Sequence, residues 1–167
     1  QSEETTEVGG EERGYDAGKK VKGRKRRILV DTLGFLVLQT KILMVVVVHA
    51  ANIQDDDGAK LVWNAIGDRF KRLKVIFADS TYGKTGLLDW VKQCFGWILQ
   101  TVLRPVGVKG FVVLPKRWIV ERTFAWISKY HRHSKDYERN PQSSKAMIPI
   151  AMTARMLKYL QHQKGYF

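Results

Sequence analysis

Cysteine is nearly absent. Cys94 is alone in 167 residues, so no intrachain disulfide holds this chain together, and its fold must rest on a packed core. The N-terminus also lacks the basic, apolar and small-residue regions of a secretory signal, and with the single thiol this fits a reducing cytoplasm. Acid is scarce as well: 16 Asp and Glu stand against 29 Lys and Arg, which leaves a formal charge of +13 and a pI near 10.0. That imbalance favours a polyanionic partner, either nucleic acid or an acidic membrane surface. A clean membrane span is missing. The nearest approach, "LGFLVLQTKILMVVVVHAA" at residues 33–51, is interrupted by Gln39, Thr40 and Lys41 and runs into Val45, Val46, Val47 and Val48. A β-branched run of this kind reads as a buried strand rather than a lipid-facing helix. No repeat, linker or low-complexity tract divides the chain, so one domain is expected.

The chain does have a strong reversal of charge. Residues 1–12, "QSEETTEVGGEE", carry five glutamates and no base; without apolar periodicity they read as a flexible acidic arm. Residues 13–167 form the domain. Its first segment, "RGYDAGKKVKGRKRRILVD", holds eight basic residues, and the density of Lys19, Lys20, Lys22, Arg24, Lys25, Arg26 and Arg27 points to contact with a phosphate backbone. The segment becomes strand-like at residues 28–30, and an apolar run at 42–49 suits a neighbouring strand. Ala59, Val62, Ile66 and Phe70 recur at helical spacing behind an aspartate suited to capping. A short buried strand at 75–78 ends in Asp79. A helix at 86–95, a strand at 97–103, a glycine-containing loop, the helix of "PKRWIVERTFAW" and a last helix at 143–160 complete a mixed α/β order in which helices cover a sheet.

Two carboxylates stand out. Glu121 lies one turn from Arg117, which by itself suggests only a surface ion pair of ~0.3–0.5 kcal/mol. Asp79 ends a strand and precedes small and polar residues, the position in which open α/β sheets present a functional acid. Brought together, the two would form an oxygen-ligand site suited to Mg²⁺. His131 and His133 have the spacing of zinc ligands but no cysteine or third histidine beside them. The five tryptophans are dispersed among different elements, as core and groove residues are.

The segments "GYDAGKKVKGRKRRILVDTLG", "HAANIQDDDGA", "FADSTYG", "RPVGVKGFVVLPKRWIVERTFAW" and "SKDYERNPQSS" together resemble the catalytic domain of the DDE transposases of bacterial insertion sequences. The resemblance implies a ribonuclease-H-like fold, a mixed sheet flanked by helices, in which two aspartates and a glutamate hold two divalent ions, Mg²⁺ or Mn²⁺. It assigns Asp79 as the second aspartate and Glu121 as the glutamate. It also implies DNA as partner, both the terminal inverted repeats of the element and the target, with multimeric action and hence a homodimer, and a cytoplasmic, nucleoid-associated protein without membrane contact. Arg117 and Arg122 would clamp phosphate or balance the acids, with Lys129 nearby.

The match has departures. The family's first aspartate lies in a strand that reaches a D-S-Q-S motif, and this chain begins at "QSEETTEVGG", two residues beyond that aspartate, so the aspartate and its central strand are expected to be missing and two ladder edges left open. Asp31 is the one nearby carboxylate to nominate in its place. The lysine of the family's R-x3-E-x6-K pattern is Ser128 here, and Lys129 is one residue late, a rotation of about 100°. Residues 35–49 look longer than the corresponding strand pair, and Pro149 interrupts the last helix. The expected function is metal-dependent DNA cleavage and strand transfer, impaired in this chain. The alternative is a non-catalytic basic nucleic-acid-binding protein in which Asp79 and Glu121 are remnants.

Overall fold

The computed structural model describes residues 2–6, 12–31, 43–83, 86–103, 107, 114 and 116–164. Strand β1 (Ser2–Thr5) pairs antiparallel with one edge of β3 (Val21–Val30), and β2 (Gly14–Asp16) and then β4 (Leu43–Ala50) pair antiparallel along its other edge. The second sheet holds β5 (Val75–Asp79) and β6 (Ile98–Val102), parallel and in register from Val75↔Ile98 to Asp79↔Val102. Helices α1 (Asp55–Ile66), α2 (Leu87–Phe95), α3 (Arg117–Ser128) and α4 (Pro141–Lys164) cover the strands. This mixed α/β architecture agrees with the ribonuclease-H-like expectation. Among the described residues, no strand joins the two sheets.

The valine run of β4 shows why helices flank both faces. Alternate side chains of a strand point to opposite sides. Val45 enters a core with Ala59, Val62, Trp63 and Ile66 of α1, Ile76 of β5, Val91 of α2 and Leu99 of β6, whereas Val46 and Val48 enter another with Ile127 of α3 and Ile148 and Met152 of α4. A strand buried on both faces has no polar alternation, which is why this run resembled a membrane segment. No helix among the described residues is long and apolar enough to cross a membrane.

Helix α1 starts at Gln54 without a side-chain cap, and the expected aspartate cap is replaced by Asp55, Asp56 and Asp57 in the first turn. There their charge complements the helix dipole. Helix α2 ends at Gly96, whose φ of 67° and N–H bond to Lys92 O form a left-handed cap. The last helix continues through Pro149 and is longer than the sequence suggested at both ends.

Two expectations change. Residues 2–5 form a strand rather than a free acidic arm, and Thr5 O accepts a hydrogen bond from Asp136 N at 3.1 Å. The basic segment is itself a strand: β3 begins at Val21, seven residues before the expected strand at 28–30. The suspected insertion falls mostly on residues 32–42, outside the described residues, as does Pro115.

Candidate metal and DNA site

Asp79 is the last residue of β5, and the 3-10 turn that follows it, Ser80–Gly83, is tied to three neighbours. Ser80 Oγ donates to Asp79 Oδ1 at 3.0 Å. Tyr82 OH accepts from Arg27 Nη1 of β3 at 2.7 Å, and burial raises the phenol's pKa above its ordinary value. A Cβ on Gly83 would come within 3.2 Å of Thr101 of β6, so the turn packs closely on that strand. Asp79 is therefore presented by a turn fixed from two strands.

Glu121 arrives on α3. Lys116, just before the helix, adopts a left-handed φ of 65° and places its Nζ 3.6 Å from the centre of the Phe77 ring of β5. That backbone state costs about 1–2 kcal/mol, and the cation–π contact, worth roughly 0.5–2 kcal/mol, offsets it. Arg117 then spans the gap. Its Nη1 lies 3.3 Å from Asp79 Oδ2 and its Nε 3.1 Å from Glu121 Oε1, so both carboxylates meet on one guanidinium. The side chains are 44%, 36% and 55% exposed for Arg117, Asp79 and Glu121.

The paired oxygens suit a hard divalent ion that keeps several waters. Among the described residues, no three His, Cys, Asp or Glu side chains gather as a metal-binding group. Asp31 is exposed just beyond β3 and belongs to no such group. His133 is buried against Tyr130, and burial lowers its pKa, whereas His131 is exposed and stacks on Tyr137; the two belong to no metal-binding group among the described residues. A cleft of about 580 Å³ beside α1 contains Asp16 and Asp55, but both already bind cations. Asp16 lies 2.8 Å from Lys25 Nζ, and Asp55 lies 2.9 Å from Arg27 Nη2. The bond from Lys25, with a backbone N–H bond from Lys19, holds Asp16 at a pKa of about 2.

The basic run divides into two groups. Lys19, Lys20 and Lys22 are exposed, whereas Arg24, Lys25, Arg26 and Arg27 are buried. This corrects the expectation that all seven face phosphate. β3 is paired on both edges and covered on both faces, so its cations are engaged by carboxylates, carbonyls and side chains of the protein itself. On one face Arg24 donates to Asp136 Oδ2 at 3.0 Å and to the carbonyls of Glu138 and Arg139 at 2.7 Å, and Arg26 donates to those of His133 and Lys135. On the other face Lys25 donates to Ile53 O, and Arg27 to His49 Nε2, Tyr82 OH and Asp55 Oδ1. Arg122 is half-buried, its guanidinium 4.3 Å from the Trp118 ring and 4.6 Å from that of Trp126, which makes it a packing residue of α3. Lys129 is exposed. Sequence reasoning missed Tyr82 and Arg27 as supports of the Asp79 turn; the tyrosine in "ADSTYG", three residues beyond the acid, was the available signal.

The family model described as the transposase DDE domain matches residues 3–157. The chain belongs to the transposase DDE domain family. Membership ties this α/β domain to transposition and makes DNA its general substrate. No curated protein and no solved structure matches the chain.

Proposed function

We propose that this DDE domain binds the terminal inverted repeats of an insertion sequence and its target DNA, and that Asp79 and Glu121 hold a divalent ion, Mg²⁺ or Mn²⁺, for phosphodiester cleavage. The observation that carries this reading is the meeting of the two carboxylates on Arg117 at the carboxyl end of β5. When bound, such an ion supplies positive charge to phosphodiester oxygens and lowers the pKa of a coordinated water. Ser80 fixes the orientation of Asp79, Arg27 and Tyr82 hold its turn, and Arg117 has a planar fork that matches a phosphate. Lys19, Lys20, Lys22 and Lys129 are exposed cations available to the DNA backbone. Such a protein works at the nucleoid, as a homodimer on paired ends.

Among the described residues two carboxylates meet, a weaker hold on metal than the family's three, so the proposed activity is trace Mn²⁺-dependent nicking without strand transfer. The test is a nicking and strand-transfer assay on supercoiled DNA carrying the element's ends. Nicking lost in Glu121→Gln, with DNA binding retained, supports the proposal, and strand transfer by the unaltered chain contradicts the impairment. DNA binding without any nicking favours the second reading, a non-catalytic basic DNA-binding protein. What favours that reading is the lack of a third carboxylate gathered at the pair among the described residues.

A further inference from the structure

Arg117 occupies the side of the two carboxylates that face each other. One guanidinium donates Nε toward Glu121 Oε1 at 3.1 Å and sets Nη1 3.3 Å from Asp79 Oδ2. Among the described residues, neither carboxylate has a second cation within ion-pair distance. Two carboxylates held together repel unless a positive charge lies with them, and Arg117 supplies that charge. A divalent cation draws on the same two carboxylates. Every lone pair that accepts an arginine N–H is closed to the metal, and the guanidinium charge repels the incoming ion.

We propose that Arg117 is an internal counter-ion of the acid pair, a latch that a divalent cation must displace before Asp79 and Glu121 can hold it. The proposal rests on the acid-pair reading above and adds a competing group to it. The architecture suits a side chain that swings out. Lys116 anchors the backbone at the start of α3 through its contact with Phe77, while the Arg117 side chain beyond it is 44% exposed. Once displaced, the guanidinium has its planar donors free for a phosphate oxygen, which it prefers for the same geometric reason as a carboxylate. Entry of the ion and release of an arginine toward DNA then become one exchange.

The test is Mn²⁺ binding by the full chain, read from the electron paramagnetic resonance signal of the free ion, with thermal unfolding in parallel. Two exposed ion pairs are individually weak, so Arg117→Met should bind Mn²⁺ about 3- to 10-fold more tightly. It should also unfold at a lower temperature in chelator and show a larger rise on adding Mn²⁺. Arg117→Lys keeps the charge without the planar fork; it should fall between the two and provides the comparison if the Met variant folds poorly. Glu121→Gln should weaken binding. If Glu121→Gln weakens binding while Arg117→Met leaves it equal or weaker, the latch is wrong and the acid pair stands. If Glu121→Gln changes nothing, the acid-pair site itself fails, and the latch falls with it.

Discussion

The two halves of the basic run have the same chemistry and opposite fates. Lys19, Lys20 and Lys22 lie in and just after the turn between β2 and β3 and remain in water, whereas Arg24, Lys25, Arg26 and Arg27 follow within the same strand and are buried. Neighbouring chain decides the difference. Beyond Lys22, β1 pairs with one edge of β3 and β4 takes over from β2 on the other, and its faces meet the α3–α4 connection on one side and the start of α1 on the other. A positive charge there has lost water and must find carboxylates or carbonyls, while a lysine in the turn keeps its hydration. Positive charge in a sequence is therefore evidence of a DNA footprint only where the fold leaves it exposed.

The sharpest way to test that contrast is to remove the carboxylate under a buried cation. Arg24 and Asp136 side chains are 0% and 1% exposed and 3.0 Å apart. Asp136→Ala takes this carboxylate from Arg24, and breaking a buried pair from one side costs roughly 3–5 kcal/mol. Urea unfolding should show that loss. A change below about 1 kcal/mol would mean that the other partners of Arg24, the carbonyls of Glu138 and Arg139 among them, hold it without Asp136.

The exposed half makes the complementary prediction, smaller and visible in binding rather than stability. Replacing Lys19, Lys20 and Lys22 with Gln should reduce the slope of log affinity against log salt by about 1 for each phosphate that is no longer neutralised. The urea midpoint should shift by no more than about 0.5 kcal/mol equivalent. A fluorescence anisotropy titration on duplex DNA over a series of salt concentrations measures the slope. An unchanged slope would move the footprint to residues 116–139.

The legible parts of this protein were those that hydrophobic periodicity marks. Ala59, Val62 and Ile66 placed α1, the valine run placed β4, and the apolar residues before Asp79 placed β5. The carboxylate pair was legible as two separate hints, a strand-ending acid and a helix acid one turn from Arg117, but not the reach of that same guanidinium to Asp79. The burial of Arg24 to Arg27 was hidden because a strand filled with cations has no apolar alternation. Its satisfying groups are also remote: Asp136 is 112 residues from Arg24, and Tyr82 is 55 from Arg27. Hydrophobic pattern reports local periodicity, and a buried polar network is defined by partners distant in sequence.

The smallest expected effect separates the halves by pH. Arg27 Nε donates to His49 Nε2 at 2.7 Å, and His49 Nδ1 lies 2.8 Å from Ala50 O, so the imidazole accepts on one nitrogen and donates on the other. That arrangement requires the neutral ring. Burial pushes the pKa of His49 below its ordinary 6.5, and the nearby charges of Arg27 and Lys25 add to the shift. As pH falls through 6.5, the unfolded chain takes up a proton that the folded chain still refuses, so stability declines until the lower folded pKa is reached. His133, also lowered by burial, contributes in the same direction. The window is distinct from that of Asp16, whose stabilising charge is lost only below its ordinary 3.8, as pH falls toward about 2. His49→Gln keeps an acceptor for Arg27 but has no proton to gain. Its urea midpoint should therefore fall less steeply than the wild type's as pH drops below 6.5, leaving the slope that His133 supplies, while the salt dependence of DNA binding through Lys19, Lys20 and Lys22 stays as it was. An identical pH profile in the two proteins would mean that the ring does not need to be neutral and that Asp55, Tyr82 and Gln54 O hold Arg27 without it.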